Sequence, residues 1–293
     1  NPHAQFPNPL TAEDMMAAEP LTHLYTKRMV AQDSVNQGAA LILTTVGKAK
    51  QLGIPESNWV YMHGAAKGTE HDMTVRPDPS VSAMAHEVVQ KAFDMAEINI
   101  KDIALIDIYS CFPVAVSAIA EELGLPLDGS TPLTLTGGLA FFGGPGNNYS
   151  MHALAEMWSQ VRADPLQYAF VHANGGMLSK HATGIFSCEP SIIDWTVADT
   201  IVDQETIPFL ENDVHPDHGT ILACTINYMK GEPVQGIVLA ETDAGARFVA
   251  HTRPDDQATV KAMLDDEPAG RRIGVRGVDD NEFALHFHFD DDA

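Results

Sequence analysis

Apolar positions along this chain follow two rhythms in turn. Up to about residue 190, apolar runs of strand length alternate with stretches whose apolar residues recur every three or four positions. The runs at residues 39–46 (AALILTTV), 58–66 (NWVYMHGAA), 103–110 (IALIDIYS), 167–176 (QYAFVHANGG) and 181–189 (HATGIFSCE) predict strands. The first is continuous enough to predict a strand buried on both faces. Helical spacing covers residues 80–96, 114–125 and 149–162, with shorter pieces at 12–18 and 47–53. Ser80 or Ser82 suits an N-cap, and Gly53 and Gly124 suit helix ends. Strands alternating with helices indicate an α/β layer fold.

Beyond residue 190 the rhythm shortens to strict alternation. Segments such as GTILACTINYM and QGIVLAETDAGARFVAHT are separated by Gly, Pro and Asp turns and interrupted by one helical piece, ATVKAMLDD. About five strands and a helix predict a small barrel of the OB kind, with a domain boundary near residues 190–197.

A glycine-dense segment, TGGLAFFGGPGNNYS (residues 136–150), leads straight into the third long helix. Such density marks left-handed backbone or close approach, and N–H groups opening onto a helix start can receive an anion or oxyanion. The segment is expected to floor a pocket.

Composition narrows the functional classes. The chain has 293 residues, is 45% hydrophobic and 19% charged, and so can bury a core. Its 17 basic and 40 acidic residues give a formal charge of −23, which excludes nucleic acid and anionic membrane as expected partners. No apolar run reaches the roughly 20 residues of a membrane span. Three cysteines make no disulfide framework, which points to a reducing, cytoplasmic compartment. His286 and His288 share a strand face without a third ligand, so no metal site is expected.

Four ordered segments resemble the C-terminal half of a thiolase, nearest the sterol-carrier-protein type and the thiolase-like proteins with an additional C-terminal domain. AEPLTHLYTKRMVAQDSVNQGAALILTTVGKAKQLG resembles the stretch that ends the family's N-terminal half. DIYSCFP stands at the N-E-A-F or H-D-C-F motif, GGLAFFGGPGNNY at the G-H-P motif, and ANGGMLSKHATGIFS at the C-x-G region. The resemblance implies residues 1–38 as a remnant of the N-terminal half, 39–190 as the thiolase-like C-terminal domain and 191–293 as the additional OB-like domain. It implies a mixed five-stranded sheet with helices on both faces.

Family members exchange acyl groups between coenzyme A thioesters and a cysteine of the N-terminal half. Thus the resemblance implies a coenzyme A thioester as substrate, no covalently bound cofactor, and the N-terminal half or a second chain as partner in an oligomer. It also implies an inner helix, at 114–125 or 149–162, covered by that partner. Gly144 stands at the position of the family's histidine and Ala173 at that of its cysteine. Neither side chain can move a proton. The remaining candidates are His181 as a displaced base, Cys111 as a pocket thiol and Tyr109 as a donor to a thioester carbonyl. Gly143, Gly144, Asn147, Asn174 and Gly175 are the candidate pocket or oxyanion positions. Each has a bland counterpart: core histidine, buried thiol, packed aromatic, strand turn. Two functions follow, half of an acyl-CoA acyltransferase pocket (acetyl-CoA acetyltransferase type) or a non-catalytic acyl-CoA or lipid binder.

Overall fold

The computed structural model describes residues 1–191, 193, 205–211, 214–276 and 285–289. Much of the boundary expected near residues 190–197, and the acidic tail, lie outside them. Two compact units form: Asn1–Pro9, Val30–Glu70 and Ser80–Asp203 in the first; Leu10–Met29, His71–Pro79 and Gln204–Ala293 in the second. In chain order the elements begin with α1 (Ala12–Met16), α2 (Val46–Gln51), β1 (Tyr61–Thr69) and α3 (Ala83–Ala96). They continue with β2 (Ile103–Asp107), α4 (Pro113–Glu122), α5 (Tyr149–Ala163), β3 (Tyr168–Gly175) and β4 (Lys180–Ser187). The second unit holds β5 (His218–Met229), β6 (Glu232–Glu241), β7 (Arg247–His251), α6 (Gln257–Asp265), β8 (Arg272–Arg276) and β9 (Leu285–Phe289).

The first unit is a mixed sheet in the order β1-β4-β3-β2, with β2 and β3 parallel and the other pairs antiparallel. Alternation sends Phe170 and Ile185 to one face, with Val89, Ala92 and Phe93 of α3 and Ile119 of α4. Ala169 and Val171 go to the other, with Tyr149, Ala153, Met157 and Val161 of α5. That four-residue repeat is one stripe of a helix. Ser82 caps α3 by accepting the Ala85 N–H at 3.0 Å.

Among the described residues the sheet has four strands and not the expected five. Residues 39–45 form neither strand nor helix, and the predicted strand there is absent. An apolar run makes a strand only when another strand accepts its backbone bonds, and none does so among the described residues.

The second unit closes a five-stranded barrel in the order β5-β6-β7-β9-β8, β8 pairing back onto β5 and β7 running parallel to β9. Phe248, Phe287, Ile221 and Val238 fill it, and Val260 and Met263 of α6 join them. Two distant segments belong to it for local reasons. His23 N donates to Ile226 O at 3.2 Å and Tyr228 N to Leu21 O at 3.0 Å, beside β5. The buried Arg247 guanidinium donates to the carbonyls of Thr74, Arg76 and Pro77, holding residues 71–79 against β7. No described helix is long and apolar enough to cross a membrane.

Candidate active site

The glycine-rich loop is built as its sequence suggests, then covered. Gly143 has φ +124°, a region side chains avoid, and an added Cβ would lie 2.6 Å from Gln37 Oε1. Residues 30–37 lie along the loop. Ala31 N donates to Cys111 O (2.9 Å), Gln32 N to Leu139 O (3.1 Å), and Gln37 Nε2 to Phe142 O (2.7 Å). Gly144 N donates to Gln32 O at 2.7 Å. The expected free N–H at Gly144 is therefore engaged by a protein carbonyl. A Cβ on Gly144 would meet Ala31 Cβ at 3.1 Å.

Beneath the loop lies a polar cluster that the sequence reading missed. Asp107, fully buried, accepts Leu135 N at 2.7 Å and Thr136 N at 3.4 Å. Thr136 Oγ1 and Tyr149 OH are 2.7 Å apart, Gly138 N donates to Thr136 Oγ1 at 3.1 Å, and Leu139 N to Ser110 Oγ at 3.0 Å. Burial pushes the Asp107 carboxyl up to about 7, against hydrogen bonds from Leu135, Thr136 and Tyr149 that favour the charge. Burial, then the neighbouring Asp107, raises the Tyr149 hydroxyl. The available signal was one acid inside the apolar run IALIDIYS.

The predicted residues separate between the two faces. Tyr109 packs edge-on against Tyr149, ring centroids 5.3 Å apart, on the loop face. Cys111 ends the same segment, half-buried, with Asn174 Nδ2 at 3.7 Å from its sulfur. Burial raises its thiol above the ordinary cysteine value. Gly175 ends β3, and Asn147 is exposed in the turn before α5. Among the described residues the buried Asn174 Oδ1 has no hydrogen-bond partner.

His181 goes to the other face. In register it pairs with Asn174 across β3 and β4, and Ala173 pairs with Ala182. His181 is 3% exposed, and its Nδ1 lies 3.2 Å from His172 Nε2. Its Nε2 lies 3.1 Å from Ser82 Oγ and 3.2 Å from Leu178 O. Ser82 Oγ donates to Glu70, whose other oxygen accepts Met84 N at 3.4 Å. Among the described residues the buried His172 Nδ1 has no partner, so placing the ring proton on Nε2 leaves no orphan donor. Burial, then His181, lowers His172 to about 3, keeping it neutral. The chain of donors then runs His172 to His181 to Ser82 to Glu70. Both nitrogens of His181 are engaged, and neither offers a lone pair to the loop.

Among the described residues no three His, Cys, Asp or Glu side chains gather to hold a metal ion. Comparison with known proteins fits this geometry. Residues 198–280 match the thiolase-like protein type 1 additional C-terminal domain. An acetyl-CoA acetyltransferase of Methanothermobacter thermautotrophicus is 26% identical over 218 residues, 64% of this chain and 54% of that protein. One from Methanocaldococcus jannaschii is 28% identical over 126 residues, 42% of this chain and 31% of that protein. This chain thus spans about half the length of the first and under a third of the second. The crystal structure of a monomeric SCP2-thiolase like protein type 1 from Mycobacterium smegmatis superposes with TM-score 0.87 at 37% identity. The match covers 99% of this chain and 64% of that one. With the loop, the sheet and the barrel in agreement, the chain belongs to the thiolase superfamily.

Proposed function

We propose that this chain is the C-terminal portion of a thiolase-like acyl-CoA protein, forming part of an acyl-CoA pocket and supplying no proton-transfer group there. The carrying observation is Gly144, which has no side chain, an engaged N–H, and Ala31 in van der Waals reach of any Cβ. Thiolase chemistry needs a thiolate and a base, and Cys111 and His181 provide neither. The pocket contributions left are the Tyr109 hydroxyl, the Cys111 thiol, Asn174 with its unpartnered Oδ1, and the backbone at Gly143, Asn147 and Gly175. In this reading His181 positions the α3 face and does no chemistry.

The names of the archaeal relatives support a coenzyme A thioester as the ligand. The mycobacterial protein is described as monomeric, which favours a cysteine-bearing half in the same polypeptide over a second chain. The barrel is read as OB-like from its strand order and from the helix between its third and fourth strands. Free cysteines favour a reducing compartment.

Calorimetric titration of the chain with acetoacetyl-CoA, followed by an assay for acetyl-CoA after adding CoA, tests the reading. Binding without product is expected. Product formed by this chain alone, or no binding by the protein as isolated from its source, overturns it.

A further inference from the structure

One carboxyl oxygen beneath the glycine-rich loop has nothing to bond. Asp107 is fully buried, and its Oδ2 accepts two loop N–H groups, from Leu135 at 2.7 Å and Thr136 at 3.4 Å. Among the described residues its Oδ1 is buried without a hydrogen-bond partner. An ionised carboxylate would leave unmatched charge on that oxygen, so the site favours the neutral acid.

The surrounding groups do not relieve the charge. Among the described residues no cationic side chain is bonded to Asp107. From α5 come the Tyr149 hydroxyl and Glu156, whose own charge also favours the neutral carboxyl. His152 of α5 packs on Phe142, and burial lowers it towards the neutral imidazole. The segment after β2 adds Tyr109 and Cys111, whose protons burial retains. In β3, Val171 stands opposite Asp107. The loop itself, LTLTGGLAFFGGP, has no titratable side chain. Asp33 of the covering residues and His3 are exposed.

The loop hangs on this cluster. Thr136 Oγ1 meets Tyr149 OH and accepts the Gly138 N–H, and Ser110 Oγ accepts the Leu139 N–H. Beyond it, Gly144 N donates to Gln32 O of the covering residues. The Tyr149 hydroxyl also reaches Asp107 and the half-buried Ser110, which gives the buried proton a way out.

We propose that Asp107 is a proton-operated latch on the glycine-rich loop: with its proton it holds residues 135–144 closed, and without it the loop and the covering residues 30–37 open more readily. Opening hydrates the carboxyl and lets it lose its proton, so opening is linked to pH. It is hardest in acid, grows easier as pH rises towards 7, and levels off once the closed form is ionised too. The latch needs no ligand, so a failure to bind acyl-CoA leaves it standing.

Amide exchange of Leu139 and Gly144 in the 293-residue chain, corrected for the intrinsic rate at each pH, reads the latch. Protection should fall about tenfold per pH unit between pH 5 and 7 and stay level from pH 8 to 9. Protection that ignores pH overturns the proposal. Protection equal to that of Ile185 in β4 at every pH also overturns it, because the loop would then open only with the whole unit. In Asp107→Asn the slope should vanish, and a slope kept in that variant assigns it to another group. Should the variant not fold, infrared spectra of the parent chain decide. The C=O stretch of a protonated buried carboxyl should persist above pH 5 and disappear with a midpoint of about 7, in step with loop protection. Complete ionisation by pH 5 overturns the latch.

Discussion

The two faces of the four-stranded sheet treat polarity in opposite ways. On the loop face the polar groups, Thr136 and Ser110 among them, tie the glycine-rich loop down. On the α3 face, Glu70, Ser82, His172 and His181 make a run of donors and acceptors of their own. A histidine near a catalytic motif in sequence is therefore a poor guide to chemistry. Strand alternation had already sent His181 away, because a one-residue change of register decides the face.

The largest effect should come from breaking the α3-face network. His181→Ala removes a partner from both Ser82 and His172 and opens a cavity, so stability should fall by about 2–4 kcal/mol in urea unfolding. A loss under about 0.5 kcal/mol would mean the network contributes little. Restoring the family residue by Gly144→His comes next. The imidazole must displace Ala31 and Gln32, and overpacking of this kind costs about 1–3 kcal/mol. A variant as stable as the parent would show residues 30–37 to be easily moved.

Two pH dependences of opposite sign follow. Asp107 is held at about 7 in the folded chain, above its unfolded value of 3.8, so it binds more protons folded than unfolded between these limits. Its contribution is full below pH 3.8 and is lost as pH rises towards 7. His172 is lowered from 6.5 to about 3, so its contribution is full above pH 6.5 and is lost as pH falls through that window. Asp107→Asn should remove the loss of stability as pH rises from 3.8 to about 7, and His172→Gln the loss as pH falls from 6.5 to about 3, in melting curves recorded across pH. Interchanged slopes would contradict both placements. The smallest effect belongs to Cys111→Ser, below about 1 kcal/mol, with iodoacetamide labelling of the parent slow at neutral pH because burial keeps the thiol protonated. Rapid labelling would restore Cys111 as a reactive group.

Much of the architecture was legible from spacing. The α3 stripe and its Ser82 cap, the α5 repeat from Tyr149 to Val161, and the alternating barrel strands all follow from local pattern. What local pattern lacks is the partner. Residues 39–46 read as a strand because apolar composition is the same whether or not a neighbouring strand exists. The grouping of residues 10–29 and 71–79 with the barrel depends on contacts such as Arg247 to Pro77, 170 positions apart. At the candidate site the absent family side chains at 144 and 173 were visible, and so was the retained loop shape. The cover supplied by Ala31 and Gln32, and the buried Asp107 beneath, were not, because both need the fold to bring distant residues together.

The most direct test of the central claim is a turnover assay with acetoacetyl-CoA and CoA, comparing the 293-residue chain with Gly144→His and His181→Ala. The account predicts no acetyl-CoA above the uncatalysed background from any of the three. Repeated turnovers by the parent chain, abolished by His181→Ala in a protein that still folds, would contradict it.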